Sequence, residues 1–335
     1  MRTPRPLPPG LLRLAAEQEG LLASAQLTLH RVDGARVARL ASQRRILPVT
    51  RGVYDTVLVP PRERTGHEAF DHRRRRAALV ALLALGGNAF AVGACALAMH
   101  GVQGLPVDIE PEAAVRDGGP RRPRDGITVR RYDGCSVVMR DGWPVSSVEN
   151  ALVHTVPSLG RRRALAVLDS ACHLRLTDAA GVAAAHERAR GRPGVERTHD
   201  VWALADARSE SPLESVARLG CIDAGVPPDA LQVEVVDVGG RFVARCDLGW
   251  WLGEDRWLVV EVDGADPHSL PDALFRDRRR QNALLTGGVQ LVRVTSEDVW
   301  RGALAPLVTP ILRRAGWAPG RLVPDRAVLR PSLSA

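Results

Sequence analysis

The chain contains no lysine: all 46 of its basic residues are arginine, set against 38 acids in 335 residues. It holds neither a phosphate-cradling P-loop nor a G-x-S-x-G nucleophile elbow, which argues against P-loop NTPase and α/β-hydrolase chemistry. Aromatic residues make up only 4%, too few for stacking platforms on single strands to dominate. The five cysteines, at 95, 135, 172, 221 and 246, form no C-x-x-C pair and no metal-site spacing, so they read as small apolar residues of a reducing compartment. The longest apolar run, Ala77–Leu85, is far too short to span a bilayer. The N-terminus lacks a long apolar signal core. These absences point to a cytoplasmic protein with no membrane partner, and no internal repeat is visible.

At 45% hydrophobic and 25% charged, the chain has the composition of a globular protein, and its length suggests two or three domains. Its charge is uneven. Residues 1–76 hold 15 Arg against 7 acids, whereas the remainder holds 31 of each. A basic segment on a neutral body is what a phosphate-binding head looks like.

The most informative stretch is Leu231–Arg280. Leu231–Val238, Arg241–Trp250 and Arg256–Val262 read as three strands of a meander, turning at Gly239–Gly240 and at Leu252–Asp255. The third run is the most apolar and so is expected inside the sheet. Three acids interrupt this apolar frame: Asp247, Glu261 and Asp263. Glu261 and Asp263 share a strand face, and antiparallel pairing of the second and third runs brings Asp247 close to Glu261. Like charges on a half-buried face repel and resist desolvation, and a hard cation such as Mg²⁺ would relieve both costs. Blander readings stay open. Asp247 can simply end a strand, Glu261 can pair with Arg245 or Arg280, Asp277 and Arg280 can form a helix-surface pair, and His268 can be a solvated loop residue.

An acid, a hairpin, then acid-x-acid on the next strand resembles the PD-(D/E)xK nuclease pattern. The wording VVEVDGADPH followed by FRDRRRQNALLTGGVQLVRVTSEDV resembles the very-short-patch-repair (Vsr)-like endonuclease domains, over about Ser209 to Trp300. The resemblance takes in Ser211–Ser215, an N-capped helix start. It implies Glu214, Asp247 and Glu261 as ligands of a catalytic Mg²⁺ and places Asp263 where the pattern often has its catalytic Lys. It also implies His268 as a catalytic group, with Asp277 and Arg280 in support as the family's D-x-x-R. With no lysine in the chain, the role of that residue would pass to His268, an Arg or the metal.

The N-terminal segment reads as helices over Pro6–Glu19, from about Ser24, and over Ala35–Gln43, followed by a hairpin of Ile46–Val49 and Val53–Val59 about Thr50-Arg51-Gly52. Three helices and a basic-tipped hairpin describe a winged helix-turn-helix. Arg36, Arg39 and Gln43 on the third helix would reach base edges, and Arg51 on the wing would touch phosphate or the minor groove. The words RILPVTRGVYDTVLVP resemble the N-terminal domain of AbiEi-type antitoxins of toxin–antitoxin systems. That resemblance implies double-stranded DNA as a partner, with a cognate toxin or defence-system protein as another.

Between these ends, Pro60–Arg64 reads as a linker and Glu68–Leu85 as a helix carrying the run Arg73–Arg76, which either clamps phosphate or covers the helix surface. Asn88–His100 reads as a second helix, residues 106–142 as short strands, and Ser147–Val156, Gly160–His173 and Thr177–Arg190 as further helices. His100 and His154 read as structural. Gly288–Val294 reads as a strand, Glu297–Ala315 as one helix capped by Ser296, and Pro319–Ala335 as a poorly packed tail. The expected fold class is therefore α+β multidomain: a winged helix-turn-helix (1–62), an α+β middle domain (68–206), a restriction-endonuclease-like α/β domain with a mixed sheet (209–316), and a Pro/Arg-rich tail (317–335). The expected function is a DNA-binding protein with a Mg²⁺-dependent endonuclease domain serving defence or DNA repair. The alternative is a non-enzymatic, antitoxin-like transcriptional regulator on a degenerate nuclease fold.

Overall fold

Leu11, Leu22, Leu27, Val37, Leu40 and Ile46 close a small apolar core around which the first residues fold. A computed structural model describes residues 6–64, 69–116, 126–131, 136–254, 256–264 and 288–329. Helix α1 (Pro9–Glu17) starts on proline, whose missing N–H costs nothing at a helix start. It is followed by Gly20 at φ +84°, where a Cβ would lie 2.9 Å from Asp55 Oδ1, so both conformation and space demand glycine. Leu21–Ala23, expected only as a lead-in, is a fully buried strand, β1. Ala23 rather than Ser24 caps α2 (Ser24–Leu29), because Gln26 Oε1 accepts the Ala23 N–H at 2.8 Å. Asp33 caps α3 (Gly34–Ser42) by accepting the Arg36 N–H at 2.7 Å. Strands β2 (Leu47–Thr50) and β3 (Val53–Asp55) turn at Arg51–Gly52 and complete a sheet of order β1-β3-β2.

The chain continues through α4 (Ala69–Leu85), β4 (Ala89–Ala91) and α5 (Gly93–Met99). The single helix expected over Asn88–His100 is thus a strand and a helix. The break is Gly93 at φ +52°, where a Cβ would meet Glu112 Oε1 at 2.0 Å. That carboxylate instead accepts the Ala94 N–H at 2.9 Å. Strands β5 (Glu112–Val115), β6 (Thr128–Arg130), β7 (Val137–Arg140) and β8 (Trp143–Ser146) join β4 in a mixed sheet of order β6-β5-β4-β8-β7. Helices α6 (Val148–Thr155), α7 (Arg161–His173) and α8 (Ala179–Ala189) follow. The run Arg73–Arg76 is half-buried to buried rather than a solvated face. Its guanidinium groups bond Asp108, the Leu105 and Pro106 carbonyls, Glu19 and Asp55, so they staple α4 to its surroundings.

The described chain is mixed α/β and packs as two compact units, residues 1–159 with 180–199 and residues 160–179 with 200–335. In the second unit, α9 (Pro212–Asp223) precedes the meander β9 (Ala230–Asp237), β10 (Phe242–Gly253) and β11 (Arg256–Asp263). Strand β12 (Val289–Thr295) runs parallel to β11, and β13 (Ala327–Leu329) parallel to β9, giving the order β12-β11-β10-β9-β13. As expected from its composition, β11 is an inner strand. The expected helix Glu297–Ala315 is two, α10 (Ser296–Arg301) and α11 (Leu304–Arg314), parted by Gly302 at φ +73°. Thr295, not Ser296, caps the first through a reciprocal box with Asp298. The tail departs from expectation, since Ala327 is wholly buried in β13.

Both faces of this sheet are covered by apolar side chains. Leu231, Leu248, Trp250, Leu258 and Val260 join the core with α9, α10 and α11, while Val233, Cys246, Trp257 and Val259 fill the other face. Close packing shows at Gly249, where a Cβ would meet Val233 Cγ2 at 2.5 Å and the Trp257 ring at 3.2 Å. Gly249→Ala is expected to cost about 1–3 kcal/mol by overpacking, read as a lower urea midpoint with unchanged slope. Among the described residues no helix is long and apolar enough to cross a membrane.

Candidate active site

The two faces exchange at one place. Leu231 and Val233 are two apart, yet they belong to opposite cores, and so do Cys246 and Leu248. Between them lie Gln232, at φ +54°, and Asp247. A residue held at positive φ breaks strict strand alternation and re-aims the neighbouring side chains, as bulges near functional sites do.

Glu214 reaches this break from the first turn of α9. Ser211 caps that helix by accepting the Glu214 N–H at 3.2 Å. Glu214 Oε2 accepts from the Gln232 side-chain amide and from the Glu210 N–H, both at 2.9 Å. Gln232 also donates to Asp247. Asp247 Oδ2 accepts the Val262 N–H at 2.7 Å. The pairing of Leu248 with Val260, carried on by one residue, sets Asp247 opposite Glu261. Glu261 Oε2 accepts from Arg293 Nε at 2.9 Å and Nη2 at 2.8 Å, and Arg293 is its neighbour in register on β12. Asp263 is exposed at the end of β11, opposite Thr295. Arg245 pairs with Glu210 at 2.7 Å. His268, Asp277 and Arg280 lie outside the described residues.

Burial pushes the Asp247 carboxyl up to about 6. The charges of Glu214 and Glu261 push the same way, against the Val262 and Gln232 donors. Burial likewise raises Glu214. Asp247 is therefore where a proton or a cation gives the most relief. The donor chemistry, carboxylate and amide oxygen, is that preferred by a hard divalent cation. Among the described residues, however, no group of three His, Cys, Asp or Glu side chains is arranged to hold a metal ion, and Glu261 already has a guanidinium counter-charge. The fit thus lies in ligand type, at Asp247 and Glu214.

No protein-family model matches the chain. Two curated relatives, Rv2248 and MT2308, are uncharacterized proteins from two strains of Mycobacterium tuberculosis. Each is 32% identical over 239 residues, spanning 70% of this chain and 85% of the relative. The chain belongs to the Rv2248 family.

Three residues of this acid cluster in the Rv2248-family chain were not singled out from sequence. Gln232 could have been flagged as an amide in an apolar strand. Arg293 becomes visible only once β12 is known to run parallel to β11. Glu210 enters through its backbone N–H.

In the other unit of this family member, Arg39 is exposed on α3, Gln43 is exposed as its C-cap just past the last helical residue, and Arg51 is exposed at the β2–β3 turn. Arg36 is half-buried instead, and its Nη2 donates to the Pro6 carbonyl at 2.8 Å, so it ties α3 to the segment before α1. Arg44 and Arg45, just past α3, are also exposed. Residues 34–54 contain five Arg and no acid.

Proposed function

We propose that this protein binds duplex DNA through its N-terminal segment and carries in its second unit the acid cluster of a metal-dependent phosphodiesterase. The order α1-β1-α2-α3-β2-β3 agrees with a winged helix-turn-helix, with α3 as the reading helix and Arg51 on the wing. The order α9, meander, parallel β12, α10 agrees with a restriction-endonuclease-like domain of the Vsr-like kind. The observation that carries the enzymatic reading is Asp247, a half-buried carboxylate set against Glu214 and Glu261, with its proton affinity raised. Gln232 holds Glu214 and Asp247 in fixed relation, and the Val262 N–H orients Asp247. Mg²⁺ held by Asp247 and Glu214, with Glu261 beside them, would supply a Lewis acid for water and phosphate. His268, by its resemblance, would serve as the general acid or base. The expected outcome is Mg²⁺- or Mn²⁺-dependent nicking of supercoiled plasmid that Glu261→Gln lowers by roughly 100-fold, the loss of about 3 kcal/mol of transition-state stabilisation. Equal nicking by both proteins sinks this assignment.

A second reading, a non-enzymatic antitoxin-like regulator with a cognate toxin or other defence protein as partner, is favoured by the Glu261–Arg293 pair and by Asp263 in place of the catalytic Lys. It expects uncut plasmid together with salt-sensitive DNA binding. Both readings share one prediction. Arg39→Ala weakens binding of duplex DNA by about 1–3 kcal/mol if it reaches a base edge, or lowers the salt slope by about 1 if it reaches phosphate. Unchanged affinity and slope in a salt titration would count against DNA recognition by α3.

A further inference from the structure

A cleft of about 540 Å³ opens in the first unit between β2 and α4. Its walls are largely apolar, formed by Val49 of β2, Pro60 and Pro61 beyond β3, and Ala77 and Val80 of α4. Into this apolar space the chain brings three guanidinium groups, Arg62, Arg73 and Arg76, and one carboxylate, Asp108. Arg73 and Asp108 pair with each other. Arg76 exposes only 9% of its surface. Its Nη2 bonds Asp55 Oδ2 at 2.9 Å, but Asp55 also takes Arg64 Nη2 at 2.6 Å, so one carboxylate serves two cations. The four arginines thus have two acids as ion-pair partners, while Glu19, already paired with Arg75, acts on Arg76 from farther off. Arg76 Nη1 is buried with no hydrogen-bond partner.

A buried, charged N–H without an acceptor is rarely left so in a folded protein, and it points to an acceptor supplied from outside. Burial lowers the Arg76 pKa and the charge of Arg64 pushes the same way, against Asp55 and Glu19. Water alone can satisfy a donor, but it would not balance the excess positive charge. A bare inorganic anion would balance charge and leave the proline, valine and alanine walls wet. An anionic head on an apolar body does both.

We propose that this cleft binds a small organic anion, its phosphate or carboxylate head taken by Arg62 and, once the buried guanidinium turns toward the cleft, by Arg76 Nη1, and its apolar part lying against Val49, Ala77 and Val80. Binding at the cleft is read without DNA or metal, so its outcome is distinguishable from the tests of nicking and of DNA recognition.

The test is titration calorimetry on the full chain with phenyl phosphate and benzoate as probes, and benzyl alcohol and inorganic phosphate as controls. The expected result is saturable binding of at least one of the two anionic aromatics, much weaker binding of inorganic phosphate, and none of the neutral alcohol. Arg62→Gln is expected to weaken the binding anion about 10-fold, the loss of one charge-assisted contact. Because Arg76→Gln can unfold the segment by stripping Asp55 of a partner, Val49→Trp serves as the second variant. Val49 is 38% exposed, and the larger ring fills the cleft without touching the core, so binding should be lost with the melting temperature unchanged. Failure of both anionic aromatics to saturate, retention of full affinity in both variants, or inorganic phosphate binding as tightly as phenyl phosphate each overturns the proposal.

Discussion

Asp247→Asn should make the protein more stable at neutral pH by about 1–2 kcal/mol while removing metal-dependent nicking. The two effects have one cause. The folded chain raises the Asp247 carboxyl to about 6, from about 3.9 for an unperturbed aspartate. A raised acid binds its proton more tightly in the folded state than in the unfolded one. Its contribution therefore favours folding below about pH 4 and is lost as pH rises through about 6. The full shift corresponds to roughly 3 kcal/mol, and the remaining exposure of the group screens part of it. Asparagine keeps a carbonyl to accept the Val262 N–H and removes the charge that Glu214 and Glu261 oppose. Urea unfolding at pH 4.5 and pH 7.5 reads the difference, which should be about one third as large in acid as at the higher pH. Mg²⁺ should stabilise the native protein in a concentration-dependent way and leave Asp247→Asn unmoved. A variant less stable than the parent at both pH values would mean that the carboxylate is a structural acceptor rather than a charge held at a cost for binding.

What could be read in advance follows from how local each cause is. The meander from Leu231 to Val262 shows itself because alternation and glycine turns are properties of neighbouring residues. The approach of Asp247 to Glu261 follows from the turn that joins their strands. Other features depend on partners far along the chain. Ala89–Met99 is apolar throughout, so periodicity does not separate strand from helix there. The decision is made at Gly93 by the carboxylate of Glu112, which belongs to another strand. Arg36 has the helical spacing of a base-reading residue, yet its guanidinium is drawn to the carbonyl of Pro6. Arg293 reaches Glu261 only because β12 returns parallel to β11. The turn of Gln232 to positive φ belongs to the packing of both sheet faces together and has no local signature.

This division bears on how the acid cluster is held. Glu214 comes from a helix, Asp247 and Glu261 from strands, so the constellation is only as well defined as the docking of α9 on the sheet. The apolar contacts of Val216, Ala217 and Cys221 provide adhesion without direction. Directional bonds come from Gln232 on the strand side and from a buried ion pair with α7 on the other.

That ion pair yields the second large effect: Arg218→Met should cost about 3–5 kcal/mol. Arg218 Nη2 bonds both oxygens of Asp169, at 2.9 and 2.8 Å, joining α9 to α7, and the Asp206 N–H donates to the same carboxylate at 2.8 Å. Asp169 and Arg218 expose 1% and 6% of their surfaces, so removing the cation leaves a carboxylate with no water to solvate it. Burial already raises the Asp169 pKa, with Arg218 as the main opposing influence. Without Arg218 the acid should rise further, so the deficit of the variant should be smallest in acid and grow as pH increases through the new value. The double variant Asp169→Leu/Arg218→Met should recover most of the loss, because a well-packed apolar pair of similar volume commonly matches a buried ion pair. Arg218 Nε, buried without a partner, adds a polar cost that the double variant also removes. If the double variant is stable and still nicks plasmid, the pair serves only to fasten the two helices. If it is stable but nicks poorly, the directional bond is what keeps Glu214 in reach of Asp247. A single variant that loses less than about 1 kcal/mol in urea would show that the apolar contacts of α9 suffice without the pair.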